Sequence, residues 1–517
     1  MWTTLGNILL FILVLSVVIC IHELGHFYFA KKAGILCHEF SFGMGPRVLS
    51  KKIGETTFSI RAFPFGGFVT MAGEELSTDI VKKGDRIRLQ FNDDMHVEKI
   101  ILNVKLPQYQ DLQEVVVDEV DLKGEGMAPL YVNGYPVERD ARFVFDRHEI
   151  QIAPHERSFV SKTKSQRFMV TFAGAMMNII LAFAVYLFVA LAWGVPNDAS
   201  TVVATVSEGM PADTIVLPGD EIVAINGVAV SAWRGGDGDS VTSELARYLE
   251  HDTFTLTVMR DGVELILAPI TPVYYFYGLG FSADPATPGL VIDQPLYAQT
   301  DLMEGDVIVS IDDVVFTGWA DVIAYAIAHP EGSTEEAPTK IVVIRDGVEL
   351  APIYFVAYGE EVLAAMGYDA FYSRIGIGQS SHFDLFGAFP VALRDLGDAA
   401  ISIYRTLWLL VSGSQVKLSQ MSGFIGIYTI TANAASQGII SLLNWVGLLS
   451  VNLGIVNLLP IPALDGGRLA FILYEAVTKK KPNQKVENWL HTIVFFLLIA
   501  LLVFITYNDI LRLFTNG

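Results

Sequence analysis

Apolar residues in this chain gather into four long blocks, separated by stretches that are polar or that alternate. Asn7–Ile21 reads NILLFILVLSVVICI and can continue as a helix through His22 to about Ala30. Phe168–Trp193 carries no charged side chain. Ile439–Leu459 is interrupted only by Ser441, Asn444, Ser450, Asn452 and Asn457, and Trp489–Tyr507 is the cleanest of the four. A helix needs roughly 20 apolar residues to cross a hydrocarbon core, so each block is predicted to be a transmembrane helix. The first block has no basic lead and no small-residue cleavage site, and is expected to be a retained span rather than a signal peptide. A shorter run, Ala399–Val411, contains Arg405 and is predicted to be an amphipathic helix at the interface. The period then changes: Glu74–Ser165 reads as a β-rich insertion, and short alternating runs fill the region from Asn197 to Ser381.

Charge gives the blocks a direction. Of 517 residues, 56 are acidic and 35 basic, a net of −21, yet 52% are hydrophobic. Residues 197–384 hold 29 acidic and 6 basic side chains (net −23), and the rest hold 27 and 29 (net +2). Lys31, Lys32, Arg47, Lys51 and Lys52 follow the first block; Lys479, Lys480, Lys481 and Lys485 lie between the third and fourth. Positive residues near span ends favour the cytoplasm, which places both termini and the acidic block outside and loops 31–166 and 468–488 inside a cell (inner) membrane. An acidic chain offers no phosphate-binding face, so nucleic acid is excluded as a partner. Two cysteines, Cys20 and Cys37, exclude a disulfide scaffold, and Cys37 is expected to be cytoplasmic and reduced.

The acidic block repeats itself. Pro218–Gly227 (PGDEIVAING) is echoed by Glu304–Asp313 (EGDVIVSIDD) 86 residues later, and RDGVEL at Arg260–Leu265 recurs at Arg345–Leu350 after 85. Each copy is predicted to hold a Gly-Asp turn into a strand, a helical stretch (Leu245–Leu249; Val322–Ala328) and strands around an Asp-Gly hairpin turn. The pattern resembles tandem PDZ domains, and Gly278-Leu279-Gly280-Phe281 is similar to that family's carboxylate-binding loop, whose backbone N–H groups sit beside an open strand edge. The alternative is a pair of β-rich modules with no peptide in a groove.

The chemistry lies at the end of the first block. His22-Glu23-Leu24-Gly25-His26 is an H-E-x-x-H motif. On a helix both imidazoles share one face, so they can reach one metal, with Glu23 beside them as a base toward water. Three ionisable residues in a span cost several kcal/mol unless paired or ligated. Two imidazoles leave a tetrahedral site short of a protein ligand. Asp465, in NLLPIPALDGG (457–467), is the candidate third, with a helix cap as its alternative role. His38 and Glu39 are expected at the interface.

Together these residues resemble the site-2 protease family of intramembrane zinc metalloproteases, in its bacterial RseP-type branch. HELGH (22–26) and NLLPIPALDGG (457–467) carry the resemblance, with Phe65-Gly66-Gly67-Phe68-Val69, Phe172–Asn178 and Ser422–Gly426 in support. It implies that His22, His26 and Asp465 bind Zn2+, that Glu23 is the general acid/base, and that Gly66 and Gly67, in a membrane re-entrant β-hairpin, with Asn457, Pro460 and Pro462 hold substrate. The implied fold is a polytopic α-helical membrane protein with four transmembrane helices, that hairpin, and two extracytoplasmic β-rich PDZ-like domains. Its parts are 1–73 (first span and hairpin), 74–166 (cytoplasmic insertion), 167–195 (second span), 196–284 and 285–381 (PDZ-like), 382–436 (interfacial), 437–478 (third span) and 479–517 (fourth span). Ala175, Phe424 and Arg468 depart from the family's usual Pro, Pro and His. The insertion resembles Gram-positive members, and the paired PDZ copies resemble Gram-negative ones. The implied activity is cleavage inside transmembrane segments of single-span proteins in the lipid bilayer, either anti-sigma factors or signal-peptide remnants. The active site would face the cytoplasmic side and the PDZ pair would gate access. A catalytically silent PDZ scaffold and a metal transporter are the other classes; the intact Glu23 and the single ligand cluster argue against them.

Overall fold

Each apolar block becomes a helix, which satisfies every backbone group within its own segment in lipid. The computed structural model describes residues 2–74, 80–146, 148–235, 239–247, 253–296, 300–366, 368–412, 423–480 and 482–515. Its helices are α1 (Trp2–Lys32), α2 (Lys164–Trp193), α3 (Val241–Arg247), α4 (Trp319–Ala328), α5 (Glu360–Met366), α6 (Ala388–Val411), α7 (Phe424–Ser436), α8 (Ile439–Asn457), α9 (Asp465–Thr478) and α10 (Gln484–Thr515). Among the described residues, four stretches are long and apolar enough to cross a membrane: Thr4–Lys32, Lys164–Trp193, Ile439–Asn457 and Trp489–Ile510. Leu9 and Leu13 on α1, and Phe496 and Val503 on α10, point outward as lipid-facing side chains do.

The third block, Ile439–Leu459, becomes α8, and a second helix, α9, follows it after an unwound stretch at Leu458–Leu464. Pro460 and Pro462 donate no N–H and disfavour helical backbone in the residue before them. Glycines let the unwound stretch lie against α9: a Cβ on Gly466 would fall 2.1 Å from the Leu459 carbonyl oxygen, and one on Gly467 2.5 Å from that of Ile461. Likewise, Ala399–Val411 is the second half of the longer α6, whose Phe389, Leu393, Tyr404 and Trp408 are exposed.

The chain forms two compact units, one of residues 1–182 with 428–501 and one of 183–427 with 502–517. In the first, α1 is followed by two long strands, β1 (Cys37–Ile53) and β2 (Thr56–Met71). Both bend midway, β1 at Gly43 and Gly45 and β2 at Gly66, all with φ near +80° (82°, 84° and 81°). The pairing is therefore threefold: Leu49–Ile53 against Thr56–Ile60, Glu39–Phe42 against Thr57–Ile60, and Glu39–Phe42 again against Gly67–Thr70. Glu39 is buried within this sheet, held by Arg47 (2.5 Å), Arg61 (2.8 Å) and Ser59 (2.5 Å). Burial alone would raise its carboxyl, but these hydrogen bonds outweigh it and leave the pKa lowered. The insertion is β-rich as its alternation suggests: a seven-stranded sheet between Arg86 and Gln151 closes over Ile87, Val97, Ile100, Val132 and Phe143. Residues 75–79 of the insertion lie outside the described set. Cys37 is free and fully buried, and burial pushes its thiol up to about 12.

The second unit contains both repeat copies, and their matched landmarks fold alike. Asp220 takes two hydrogen bonds from Arg260 (2.7 and 2.6 Å), and Asp306 takes two from Arg345 (2.7 and 2.8 Å). Asp261-Gly262 and Asp346-Gly347 both have positive φ at each residue, the backbone of a tight hairpin turn. Two predicted helices shift slightly: α3 begins at Val241 and α4 at Trp319, while Tyr248 and Leu249 lie outside the described residues.

The boundary at 284/285 and the groove at 278–281 need correction. Strands Val273–Phe276 and Phe281–Ala283 belong to the second copy: Tyr274, Phe276, Leu279 and Phe281 pack with Ile308, Trp319, Ile341 and Phe371. The first copy is completed from beyond the second, where Ile377–Gln379 pairs with Val203–Val206 and Ile375 enters its core. Gly278–Phe281 is the connection of a hairpin whose N–H groups are already used. Gly278 donates to Ala370 (3.2 Å), and Leu279 and Gly280 both donate to Phe276 (3.1 and 2.7 Å). Phe281–Ala283 is flanked by a strand on each side, so it offers no open edge beside the loop.

The paired Asp–Arg bridges supply the first testable expectation. Asp220→Ala and Asp306→Ala should each destabilise their own copy by roughly 1.5–3 kcal/mol, the usual range for charged hydrogen bonds. Hydrogen exchange in the full chain should show faster exchange at Glu221–Ile225 for the first variant and at Val307–Ile311 for the second. The Arg260 hydrogen bonds hold the Asp220 carboxyl below the usual carboxylate range. Its contribution is therefore present above its unfolded pKa and is lost as pH falls toward the lowered folded value.

Candidate metal centre

The site starts from helix spacing. His22 and His26 lie one turn apart on α1 and are both buried. Two helices can approach them only where side chains are small. At the α1–α2 contact, a Cβ on Gly25 would meet the Ala173 carbonyl oxygen at 2.3 Å, and one on Gly174 would meet His26 Nε2 at 2.3 Å. The third group comes from the break in helix between α8 and α9, because Asp465 is the first residue of α9.

These elements bring three ligand atoms together. His22 Nε2 and His26 Nε2 each lie 3.2 Å from Asp465 Oδ2, and 3.3 Å from each other. Asp465 Oδ2 is buried, and neither ring nitrogen meets it in hydrogen-bonding geometry. His26 Nδ1 lies 2.8 Å from the Val170 carbonyl oxygen, which only accepts, so the proton sits on Nδ1 and the Nε2 lone pair faces inward. Lone pairs converging on a carboxylate oxygen need a cation between them. An ion about 2.0–2.1 Å from three tetrahedral donors separates them by roughly 3.3–3.4 Å, so this triangle fits zinc. It is the metal-ligand cluster found among the described residues.

Around the triangle is a cavity of ≈ 390 Å³, lined by the three ligands, Glu23, Gly67–Met71, Thr171, Glu74, Ala463, Leu464 and Arg468. Glu23 lies beside the ligands without being one of them. The return of β2 reaches it directly, since a Cβ on Gly67 would sit 2.9 Å from Glu23 Cγ. Gly67–Thr70 pairs with Glu39–Phe42 along one edge, and no strand covers its other edge among the described residues.

The remaining sequence candidates are not all brought to this cavity. Gly66 occupies the bend of β2 against Met44, and Asn457 Nδ2 is 3.5 Å from His22 Nε2. Pro460 and Pro462 lie in the unwound stretch, outside the cavity lining. Gly278–Phe281 belongs to the other compact unit. Sequence reasoning assigned no role to four supporting groups: the Val170 carbonyl, Asn178 beside His22, an ion pair joining Arg468 to Glu74, and His491, which accepts a 2.8 Å hydrogen bond from the Ala463 N–H. Arg468, directly after the Asp-Gly-Gly, and Asn178, at the end of the Phe172–Asn178 motif, left a signal in the sequence. Ser422, from the supporting motif, lies outside the described residues, while Gly423 and Gly426 donate from the start of α7 to buried Asp509 on α10 (2.8 and 3.1 Å).

Comparison with known proteins shows which family the chain resembles along its length. The profile of a family described as "Peptidase family M50" matches residues 10–501. A "Zinc metalloprotease RasP" of Geobacillus kaustophilus is 33% identical over 520 residues, covering 99% of each chain. Another of that name, from Bacillus licheniformis, is 32% identical over 99% of this chain and 100% of its own. The "Regulator of sigma-W protease RasP" of Bacillus subtilis is 32% identical over 98% of this chain and 99% of its own.

Proposed function

The chain belongs to peptidase family M50, the site-2 family of intramembrane zinc metalloproteases, and from that premise we propose how its residues cut a membrane-embedded peptide. His22, His26 and Asp465 hold the zinc, and the observation that carries the reading is their 3.2–3.3 Å triangle beside Glu23 in one cavity. Bound zinc supplies Lewis acidity, polarising a carbonyl and acidifying water. A transmembrane helix hides its carbonyls in its own hydrogen bonds, so it must first unwind. The uncovered edge of Gly67–Met71 is suited to receive the extended segment by β-addition, which aligns its backbone beside Glu23. Glu23 takes a proton from the attacking water and returns it to the leaving amine. Asn457, against His22, is placed to hold the substrate's backbone, and Pro460 and Pro462 keep the neighbouring carbonyls out of a helix.

The substrates proposed are single-span proteins already shortened on the outer side, either anti-sigma factors or signal-peptide remnants. The name of the Bacillus subtilis relative, a regulator of sigma-W protease, supports the first class. With hairpin β1–β2 re-entering the membrane from the basic side, the catalytic cavity faces the cytoplasm and the acidic repeat faces outward. The repeat, read as a PDZ pair, works as a steric filter rather than through Gly278–Phe281, whose N–H groups are taken. Intact Glu23 and the assembled ligands leave no reason to favour a silent scaffold.

The test is metal removal in liposomes holding the full chain and a single-span reporter with a short outer tail. Phenanthroline should lower cleavage at least 100-fold, and zinc in slight excess should restore it. Cleavage that persists with less than 0.1 equivalent of zinc would overturn the reading.

A further inference from the structure

A histidine that ligates through Nε2 must keep its proton on Nδ1, and a second group usually fixes that proton by accepting it. The Val170 carbonyl does this for His26. His22 Nδ1 faces the side-chain amide of Asn178, 3.3 Å from Nδ2. Asn178 lies on α2, is completely buried, and its Oδ1 has no hydrogen-bond partner. An amide nitrogen against a protonated Nδ1 would set donor against donor. Rotating the amide half a turn puts Oδ1 onto that N–H and leaves Nε2 free to ligate. Which end of the amide faces the ring is therefore decided by the state of His22. A hydrogen bond from Ser450 on α8 to the Asn178 carbonyl (2.8 Å) anchors this turn of α2, and Ser450 is itself buried.

We propose that Asn178 is a positioning residue of the metal centre, accepting the Nδ1 proton of His22 through Oδ1 and so holding Nε2 toward zinc. This rests on the reading of His22, His26 and Asp465 as the zinc site. Asn178 touches neither metal nor reacting atoms; it acts through His22. An acceptor is what the position requires, so a carboxylate should replace the amide and a hydrocarbon of the same size should not.

Zinc affinity of the purified full chain, measured by chelator competition, gives a readout independent of proteolysis. Asn178→Leu should weaken zinc binding by about 10- to 100-fold, the usual effect of losing such a partner. Asn178→Asp should stay within about threefold of wild type, and cobalt loaded in its place should keep the wild-type visible spectrum. Ser450→Ala disturbs the same turn but spares the amide, and should bind zinc normally. Wild-type affinity in Asn178→Leu would overturn the proposal. So would equal loss in the Leu and Asp variants with helix content intact, which would mark a packing role. Should Asn178→Leu fail to fold, Asn178→Asp decides: near-wild-type affinity and spectrum support the proposal, and weakened zinc binding in a folded chain overturns it. Failure of wild type to bind zinc at all would instead bring down the metal reading itself, and this proposal with it.

Discussion

Glu23→Gln should leave zinc bound at the wild-type level and lower cleavage of a single-span reporter by at least about 10²–10⁴-fold, the range supplied by a positioned acid–base group. The expectation follows from where Glu23 sits. It lines the cavity beside the ligand triangle but contributes no atom to it. Glutamine keeps the volume and the contact with Gly67 while removing the ability to take a proton. Metal content and fold should therefore survive while chemistry stops, a split that a ligand variant such as His22→Ala would not give, since there metal and activity leave together. Cleavage by Glu23→Gln at the wild-type rate would end the protease reading, and loss of zinc in that variant would show that Glu23 belongs to the ligand set instead.

The candidate site groups were readable because their placement is local. H-E-x-x-H fixes two imidazoles and a carboxylate by helical spacing alone, and Asp465 follows two prolines that had to break the helix before it. The hairpin turns of the repeat were readable for a similar reason: Asp-Gly favours the positive φ of a tight hairpin turn, and both copies adopt it. What was not readable depends on contacts between distant segments. The second copy takes its first two strands from residues assigned to the first, and the first recovers a strand at Ile377–Gln379, more than 170 residues after its partner at Val203–Val206. No periodicity records such an exchange, so a tetrapeptide that looks like a binding loop proved to be a hairpin connection with its donors spent. The groups behind the metal ligands were hidden in the same way. A carbonyl at Val170 leaves no trace in a sequence, and Asn178 becomes meaningful only once α2 lies against α1.

Gly174→Ala is expected to disable the metal site while helping the helix that carries it. In an exposed helix, alanine in place of glycine gains roughly 0.5–1 kcal/mol. At position 174 the new Cβ would lie 2.3 Å from His26 Nε2, 2.7 Å from His26 Cε1 and 2.8 Å from His22 Cε1. The imidazoles cannot yield cheaply. His26 is tied to Val170 through Nδ1, and α1 and α2 are already so close at Gly25 that a Cβ there would fall 2.3 Å from the Ala173 carbonyl oxygen. Relief must come from turning Nε2 away from Asp465 or from parting the two helices, and either removes a zinc ligand. The measurement is zinc content of the full chain purified without chelator, alongside helix content by circular dichroism. Zinc should fall well below one equivalent, and cleavage at least 100-fold, with helicity preserved. Gly6→Ala on α1, where nothing lies within 4 Å of the added atom, should change neither. A Gly174→Ala protein with full zinc and full activity would mean that the helices cross more loosely than here and that the imidazoles are not held by this contact.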